Sequence, residues 1–312
     1  MAGSAPGAGR RGGWGAVSDD VTANPFYGEV PTGLGHEVAI GGALITMVEP
    51  HVGHERAYNR WYEDDHFYAG AMCMPWMMAG RRFVATRELQ LLRYPEDSFI
   101  AQPVTAGCYI HLYWITVNHV ADHEAWTRST NVELTKLDRR YEGRTHIYTT
   151  FSDFTGVTYR DATGPRDIHS LDYPYVGMVL EVVDAGPGQS RQELHDWLHG
   201  TYLPDLQGAA HSPVAQSLTF TARHVPDGDE DDAPSEQAGS TIMSPQRGFA
   251  IPRANRRITV IHLLDEDPRL NWHRHFAGNG ETVAARGLGR LELCAPFIPV
   301  LQGTDRYVDE LR

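Results

Sequence analysis

Three cysteines in 312 residues, Cys73, Cys108 and Cys294, are too few and too irregularly spaced for a disulfide framework or a zinc site. They read as reduced thiols of a cytoplasmic protein, and none stands in a context that marks an activated nucleophile. No apolar run approaches the roughly 20 residues that cross a bilayer. The first 20 residues, rich in Gly, Ala and Arg, lack the apolar centre of a secretory signal. No membrane partner is expected. A basic excess is missing too: the formal net charge is −13, which argues against a nucleic-acid partner. Part of that charge is local, in Asp227, Asp229, Glu230, Asp231 and Asp232. No Gly-x-Ser-x-Gly elbow occurs, and Gly41-Gly42 precedes a strand instead of opening a helix. Phosphate cradling, flavin and nicotinamide are therefore unsupported. What is present is ordinary globular material, 41% apolar and 21% charged, enough for a real core.

The informative feature is a repeat. An apolar run, Gly42 to Val48, leads into Arg60-Trp61-Tyr62-Glu63-Asp64-Asp65-His66 and then into Arg81 to Arg87. The pattern returns as Tyr175 to Asp184, then Glu193 to Tyr202, then Ser217 to Arg223. Trp61 falls on Trp197, His66 on Tyr202 and Arg87 on Arg223, at one constant offset. Each copy reads strand, helix, strand.

Residues 1–35, with many Gly and Pro and no periodicity, read as a mobile leader. The first repeat spans 36–165, with strands at 36–49, 81–89, 108–117 and 145–157 and helices at 54–72 and 121–139. The second spans 166–312, with strands at 175–184, 214–224, 256–265 and 290–299 and helices at 191–206 and 269–285. Its segment 226–246, acidic and rich in Ser, Pro and Gly, reads as a disordered loop. The order βαββαβ, twice, predicts an α+β protein of two fused ferredoxin-like repeats.

Two such units carrying Trp61, Tyr62, His66, Gly80, Arg82 and Phe83, with a degenerate echo in Trp197, Tyr202 and Pro204, resemble the dimeric α+β barrel superfamily, in particular its EthD-like branch. The resemblance implies two sheets closing face to face, here within one chain. It implies enzymes of several kinds: cofactor-free monooxygenases, cyclases, isomerases and lyases, and also haem enzymes such as chlorite dismutases and aldoxime dehydratases. Fold alone does not choose among them.

Strand alternation sorts the polar residues. Tyr109, His111 and Tyr113 share one face, and Ile258, Val260, His262 and Leu264 share another. With the helices covering the outer faces, both histidines are expected to point into the barrel. Glu181 interrupts the apolar run Met178 to Val183, where the first copy has Ile45. A desolvated carboxyl there has a raised pKa, suited to general acid–base work, unless Arg87 or Arg223 pairs with it. His66 and Tyr202 end the two helices, and His66 could equally cap its helix end. Glu181, His111, His262, His66 and Tyr202 are thus the candidate catalytic residues. Tyr109, Tyr113, His146, Tyr148, Trp61, Trp197, Ile45 and Asp65 are the candidate substrate-binding ones.

This inventory suits an enzyme without a cofactor, of lyase, isomerase or cyclase type, or a cofactor-free monooxygenase. Its substrate would be a small apolar or aromatic carbonyl or hydroxyl compound held in the barrel cavity. Three alternatives stand beside it. One is a haem enzyme, aldoxime dehydratase-like, with His111, His262, His273 or His275 as axial ligand. Another is a mononuclear metal site of His111, His262 and Glu181. The last is a non-catalytic small-molecule binding protein. Assembly into a homo-oligomer is left open.

Overall fold

In the computed structural model of the chain, residues 37–312 are described, apart from 75, 224–241, 245–247 and 252. The leader at 1–35 lies outside the described residues. Of the segment expected to be a disordered loop, 242–244 are described; they form the short strand β7 (Ile242–Ser244), paired with β8 (Gly248–Ala250).

The first repeat runs β1 (Ile40–Pro50), α1 (Glu55–Trp61), β2 (Met77–Val84), α2 (Arg87–Gln90), β3 (Tyr109–Thr116), α3 (Val120–Lys136) and β4 (Arg144–Tyr159). The second runs β5 (Gly177–Ala185), α4 (Arg191–Trp197), α5 (Leu203–Gly208), β6 (Val214–Ala222), β9 (Arg257–Leu264), α6 (Pro268–His275), α7 (Asn279–Arg286) and β10 (Gly289–Pro299). Eight antiparallel strands close into a barrel in the order β1-β3-β2-β10-β5-β9-β6-β4. Each repeat contributes its four strands in the same internal order, fourth-first-third-second. The joints are β4 with β6, paired from Ser152 to Tyr159, and the short contact of β2 with β10 at Val84 and Phe83. The fold is the α+β barrel of two ferredoxin-like repeats that the sequence predicts. Closure leaves the barrel itself without a sheet edge.

Two expected elements differ. The second strand ends at Val84 instead of Leu89, and Arg87 opens α2, whereas Arg223 lies just past β6. The matched arginines are therefore not structural equivalents. The helix expected at 54–72 exists, but past Trp61 it continues in wider π turns, Tyr62–His66 and Tyr68–Met72. The second repeat does the same at Leu198–Tyr202, at the offset that pairs Trp61 with Trp197. Such turns carry an extra residue per helical ring and recur at functional sites.

β3, β5 and β9 are buried at every position because one face meets the barrel interior and the other meets helices. In β5, Val179 and Val183 pack with Leu194, Leu198 and Val283 of the helices, while Met178, Leu180 and Val182 belong to the core shared with the first repeat. Inside the barrel, Trp114 stacks on Phe220 at 5.2 Å, and the Tyr148 hydroxyl reaches across to Thr259 at 2.7 Å. Burying one such large apolar side chain stabilises the fold by roughly 1.5–3 kcal/mol.

Candidate functional site

The polar residues gather between each sheet and its helices, and this reverses the inward orientation expected for His111 and His262. His111, fully buried on β3, meets the Tyr58 hydroxyl of α1 at 2.8 Å through Nε2. Arg82 Nε donates to its Nδ1 at 3.4 Å, so the ring proton sits on Nε2 and is donated to Tyr58. The Tyr62 ring stacks on the imidazole at 3.8 Å. Burial and then the Arg82 charge hold its pKa well below the usual histidine value. Tyr109, on the same face, packs against Tyr58 and lies under the Arg82 guanidinium. Both nitrogens of His111 are engaged, which leaves no nitrogen for proton transfer to a substrate.

Glu181 is likewise on the helix-covered face. Its carboxylate accepts from Tyr202 at 2.8 and 3.0 Å and from Asn279 at 2.7 Å, and it meets His262 Nε2 at 3.1 Å and the Cys294 thiol at 3.7 Å. Ser217 holds the other imidazole nitrogen of His262 at 2.8 Å. Burial pushes the carboxyl pKa up, but His262 and the bonds from Asn279 and Tyr202 outweigh it, and the net shift is downward. The raised pKa expected for Glu181 is thus corrected, and neither Arg87 nor Arg223 is its partner. Arg87 bonds Gln90, and Arg223 bonds Asp153. Glu181, His262 and Tyr202 form a closed, fully satisfied network, with Trp197 packed on Tyr202 at 5.3 Å.

The matching space in the first repeat is open. A cavity of about 40 Å³ lies between Thr46 of β1, Tyr113 of β3, His146 and Arg144 of β4, and the π turns carrying Tyr62 and His66, with Arg140 at one side. The volume admits a few water molecules. His66 stacks on Trp61 at 4.3 Å and its Nδ1 is buried without a hydrogen-bond partner. Arg140 Nε is buried and unpartnered as well. Arg144 lies over the Trp61 ring at 4.5 Å, and its Nε donates to His146 Nε2 at 3.4 Å. His146 Nδ1 therefore carries the proton and donates to Thr149 Oγ1 at 2.8 Å. Burial and then the nearby arginines bring the pKa of both His66 and His146 down to about 3, so both rings are neutral at pH 7. The Tyr62 and Tyr113 hydroxyls bond each other at 2.6 Å, and burial raises both phenols. Their neighbours are cationic, the imidazoles are neutral, and no carboxylate lines the wall.

Of the sequence candidates, this cavity unites His66, Tyr113 and His146, with Trp61 beneath them. Asp65 stands just outside, paired with Arg139. Tyr148 and Ile45 belong to the other face, and the placement of the pocket inside the barrel is corrected. Sequence reasoning missed Arg140, Arg144 and Tyr62. Arg139, Arg140 and Arg144 cluster around the start of β4, and that basic run is the available signal.

No family model matches the chain, and no curated protein matches it. Solved structures do, at low identity. An anthrone oxidase-like protein is 9% identical, with 84% of this chain and 92% of that one covered and a TM-score of 0.48. The encapsulated DyP-type peroxidase from Mycobacterium smegmatis is 11% identical over 87% of this chain and 94% of that one, at 0.42. A DypB variant from Rhodococcus jostii RHA1 in complex with heme is 9% identical over 83% and 93%, at 0.42.

The expectation of a site without a cofactor is corrected by this comparison: a chain similar to this one is described in complex with heme. His66 offers a free imidazole nitrogen, and Arg140 and Arg144 have the sign that propionates need. The room is lacking, because a cavity of about 40 Å³ does not take a porphyrin. As placed, these residues do not fit haem, and no step is derived through it. The metal set of His111, His262 and Glu181 does not converge either: His111 on β3 is bonded to Tyr58 and Arg82, and β2 and β10 stand between β3 and the β5 and β9 strands of the other two. Among the described residues no group of three or more His, Cys, Asp or Glu could hold a metal ion, and no helix is long and apolar enough to cross a membrane.

Proposed function

We propose that the chain is an enzyme that binds a small organic anion between the sheet and the helices of its first repeat and moves a proton on it with His66. One observation carries the reading: His66 Nδ1 and Arg140 Nε are both buried and both unpartnered in the same cavity. A buried donor and a buried acceptor without partners call for a ligand that supplies the complements. A carboxylate or developing oxyanion satisfies Arg140 and Arg144, and an activated C–H or O–H faces His66. Of the bonded Tyr62–Tyr113 hydroxyl pair, the one that accepts its neighbour's proton keeps its own to donate to the oxygen where charge builds up.

The electrostatics couple binding to basicity. In the free protein the arginines help to hold His66 near a pKa of about 3, too low for an efficient base at neutral pH. An anion that neutralises the guanidinium charges removes that part of the depression, so the base strengthens only when substrate is present. The reaction class is proton abstraction next to a carbonyl, leading to isomerisation or elimination. Admission of anything larger than a few waters requires the half-buried Arg140 side chain to swing outward. The EthD-like resemblance belongs to this reading, since Tyr62 and His66 line the cavity and Trp61 stacks on His66.

Deuterium wash-in from D₂O at the activated carbon of a panel of small β-keto carboxylates, followed by NMR, tests the proposal. Wild type should exchange at least one member, and His66→Ala should slow exchange about a hundredfold or more. Arg140→Leu should chiefly raise KM. Unchanged exchange in His66→Ala defeats the assignment.

A further inference from the structure

A second hollow, independent of the first, lies where the chain passes from one repeat to the next. It measures about 220 Å³ and is walled by Tyr159 at the end of β4, by Tyr173 and Tyr175 ahead of β5, and by Gln216 near the start of β6. Two fully buried polar side chains on its wall are incompletely satisfied. The Tyr175 hydroxyl has no partner, although the residue is only 2% exposed, and neither does Gln216 Oε1, in a residue 1% exposed. The orientation of the Gln216 amide is fixed, because its Nε2 donates to the Pro165 carbonyl. The unpaired atom is therefore an acceptor.

The wall is also held in place. Arg81 of β2 donates to the Tyr173 carbonyl at 2.5 Å and to the Tyr175 carbonyl at 2.9 Å, which ties the linker to the first repeat. The Tyr173 and Tyr175 rings lie 4.7 Å apart, tilted at 53°. Charge restricts the ligand. Arg160 is already engaged by Asp161, by Asp265 at 2.6 Å and by the Ser212 carbonyl at 3.0 Å, so no guanidinium is free to receive an anion.

We propose that this hollow is a binding site for a small, uncharged, planar molecule that carries one hydrogen-bond donor and one acceptor, of the primary amide or lactam class. The donor meets Gln216 Oε1, the acceptor receives the Tyr175 hydroxyl, and the flat body lies among Tyr159, Tyr173 and Tyr175. The volume suits a single substituted ring and falls below that of drug-sized pockets. The site differs from the cavity beside His66 in sign: that one draws anions, and this one turns them away.

Isothermal titration with benzamide, paired with benzoate, tests the assignment on the full chain. Benzamide should bind in the millimolar range and benzoate should not bind at this hollow. Gln216→Leu and Tyr175→Phe should each weaken benzamide roughly tenfold, the effect of one lost hydrogen bond in a buried site. Tyr173 is 43% exposed, so Tyr173→Ala removes a wall without threatening the fold and should weaken binding as well. Arg140→Leu, at the other cavity, should leave benzamide affinity unchanged. The proposal is overturned if wild type does not bind benzamide, if the three variants bind it like wild type, or if Arg140→Leu abolishes binding.

Discussion

The two repeats share strand order, helix placement and even the π turn that follows the paired tryptophans, yet they use the space beneath that turn in opposite ways. In the second repeat it is filled by a carboxylate, Glu181, whose oxygens accept from Tyr202 and Asn279 and meet His262. In the first repeat the same space is a cavity bordered by cations and neutral imidazoles, in which two buried nitrogens lack partners. A duplicated fold has two equivalent places to keep a polar group out of water. One is closed and satisfied, as a structural element requires, and the other is left unsatisfied, as a binding site requires.

Removing the network's centre is the largest single perturbation. Glu181→Ala leaves Tyr202, Asn279 and His262 buried without their common acceptor, and stability should fall by about 3–5 kcal/mol. The urea midpoint measures that loss, and the exchange rate per folded molecule should be unchanged. A variant with a normal midpoint and lost activity would exchange the roles of the two repeats.

The architecture was legible because both copies carry complete apolar runs and the Trp61–Trp197 match sets their registration. Which face of each strand points where was not legible. In β5 and β9 every residue is buried, so the alternation that separates inside from outside disappears. Parity grouped Tyr109, His111 and Tyr113 correctly but assigned them to the wrong side. Polar residues on a strand suggest a lined cavity, but the barrel is packed with Trp114, Phe220 and Tyr148. His66 was visible as a polar break at a helix end. Arg140 and Arg144 were not, because their function depends on β4 running beside β1, a long-range pairing of Val48 with His146 that no local pattern records.

Acid should act on the buried histidines of the first repeat. His66 and His146 have folded pKa values of about 3 and His123 of about 4, all below the unfolded histidine value near 6.5. The unfolded chain therefore binds more protons between those limits, and stability rises with pH there. The contribution is fully present above about pH 6.5 and is lost as pH falls toward 3–4. Each histidine adds a slope of roughly 1.4 kcal/mol per pH unit inside the window. Thermal melts of His66→Phe and His146→Phe should each show a shallower loss between pH 6 and 4 than wild type. An identical slope would mean that these rings are accessible to protons in the folded state.

The smallest expected effect concerns two glycines in π turns, Gly70 in the turn Tyr68–Met72 and Gly200 in the turn Leu198–Tyr202. At Gly70 an added Cβ would come within 2.6 Å of the His66 ring, whereas at Gly200 it would meet nothing within 4 Å. Both backbones are helical, so alanine should favour either turn by several tenths to about 1 kcal/mol. Gly200→Ala should show that gain in the urea midpoint with unaltered exchange. In Gly70→Ala the gain is offset by moving the imidazole, which can rotate away, so the midpoint should stay within about 1 kcal/mol of wild type. Exchange should drop, because a ring displaced by even 1 Å no longer aligns with the substrate proton. Full activity in Gly70→Ala would show that the position of the His66 ring does not matter. The contrast between the two repeats would then reflect packing alone.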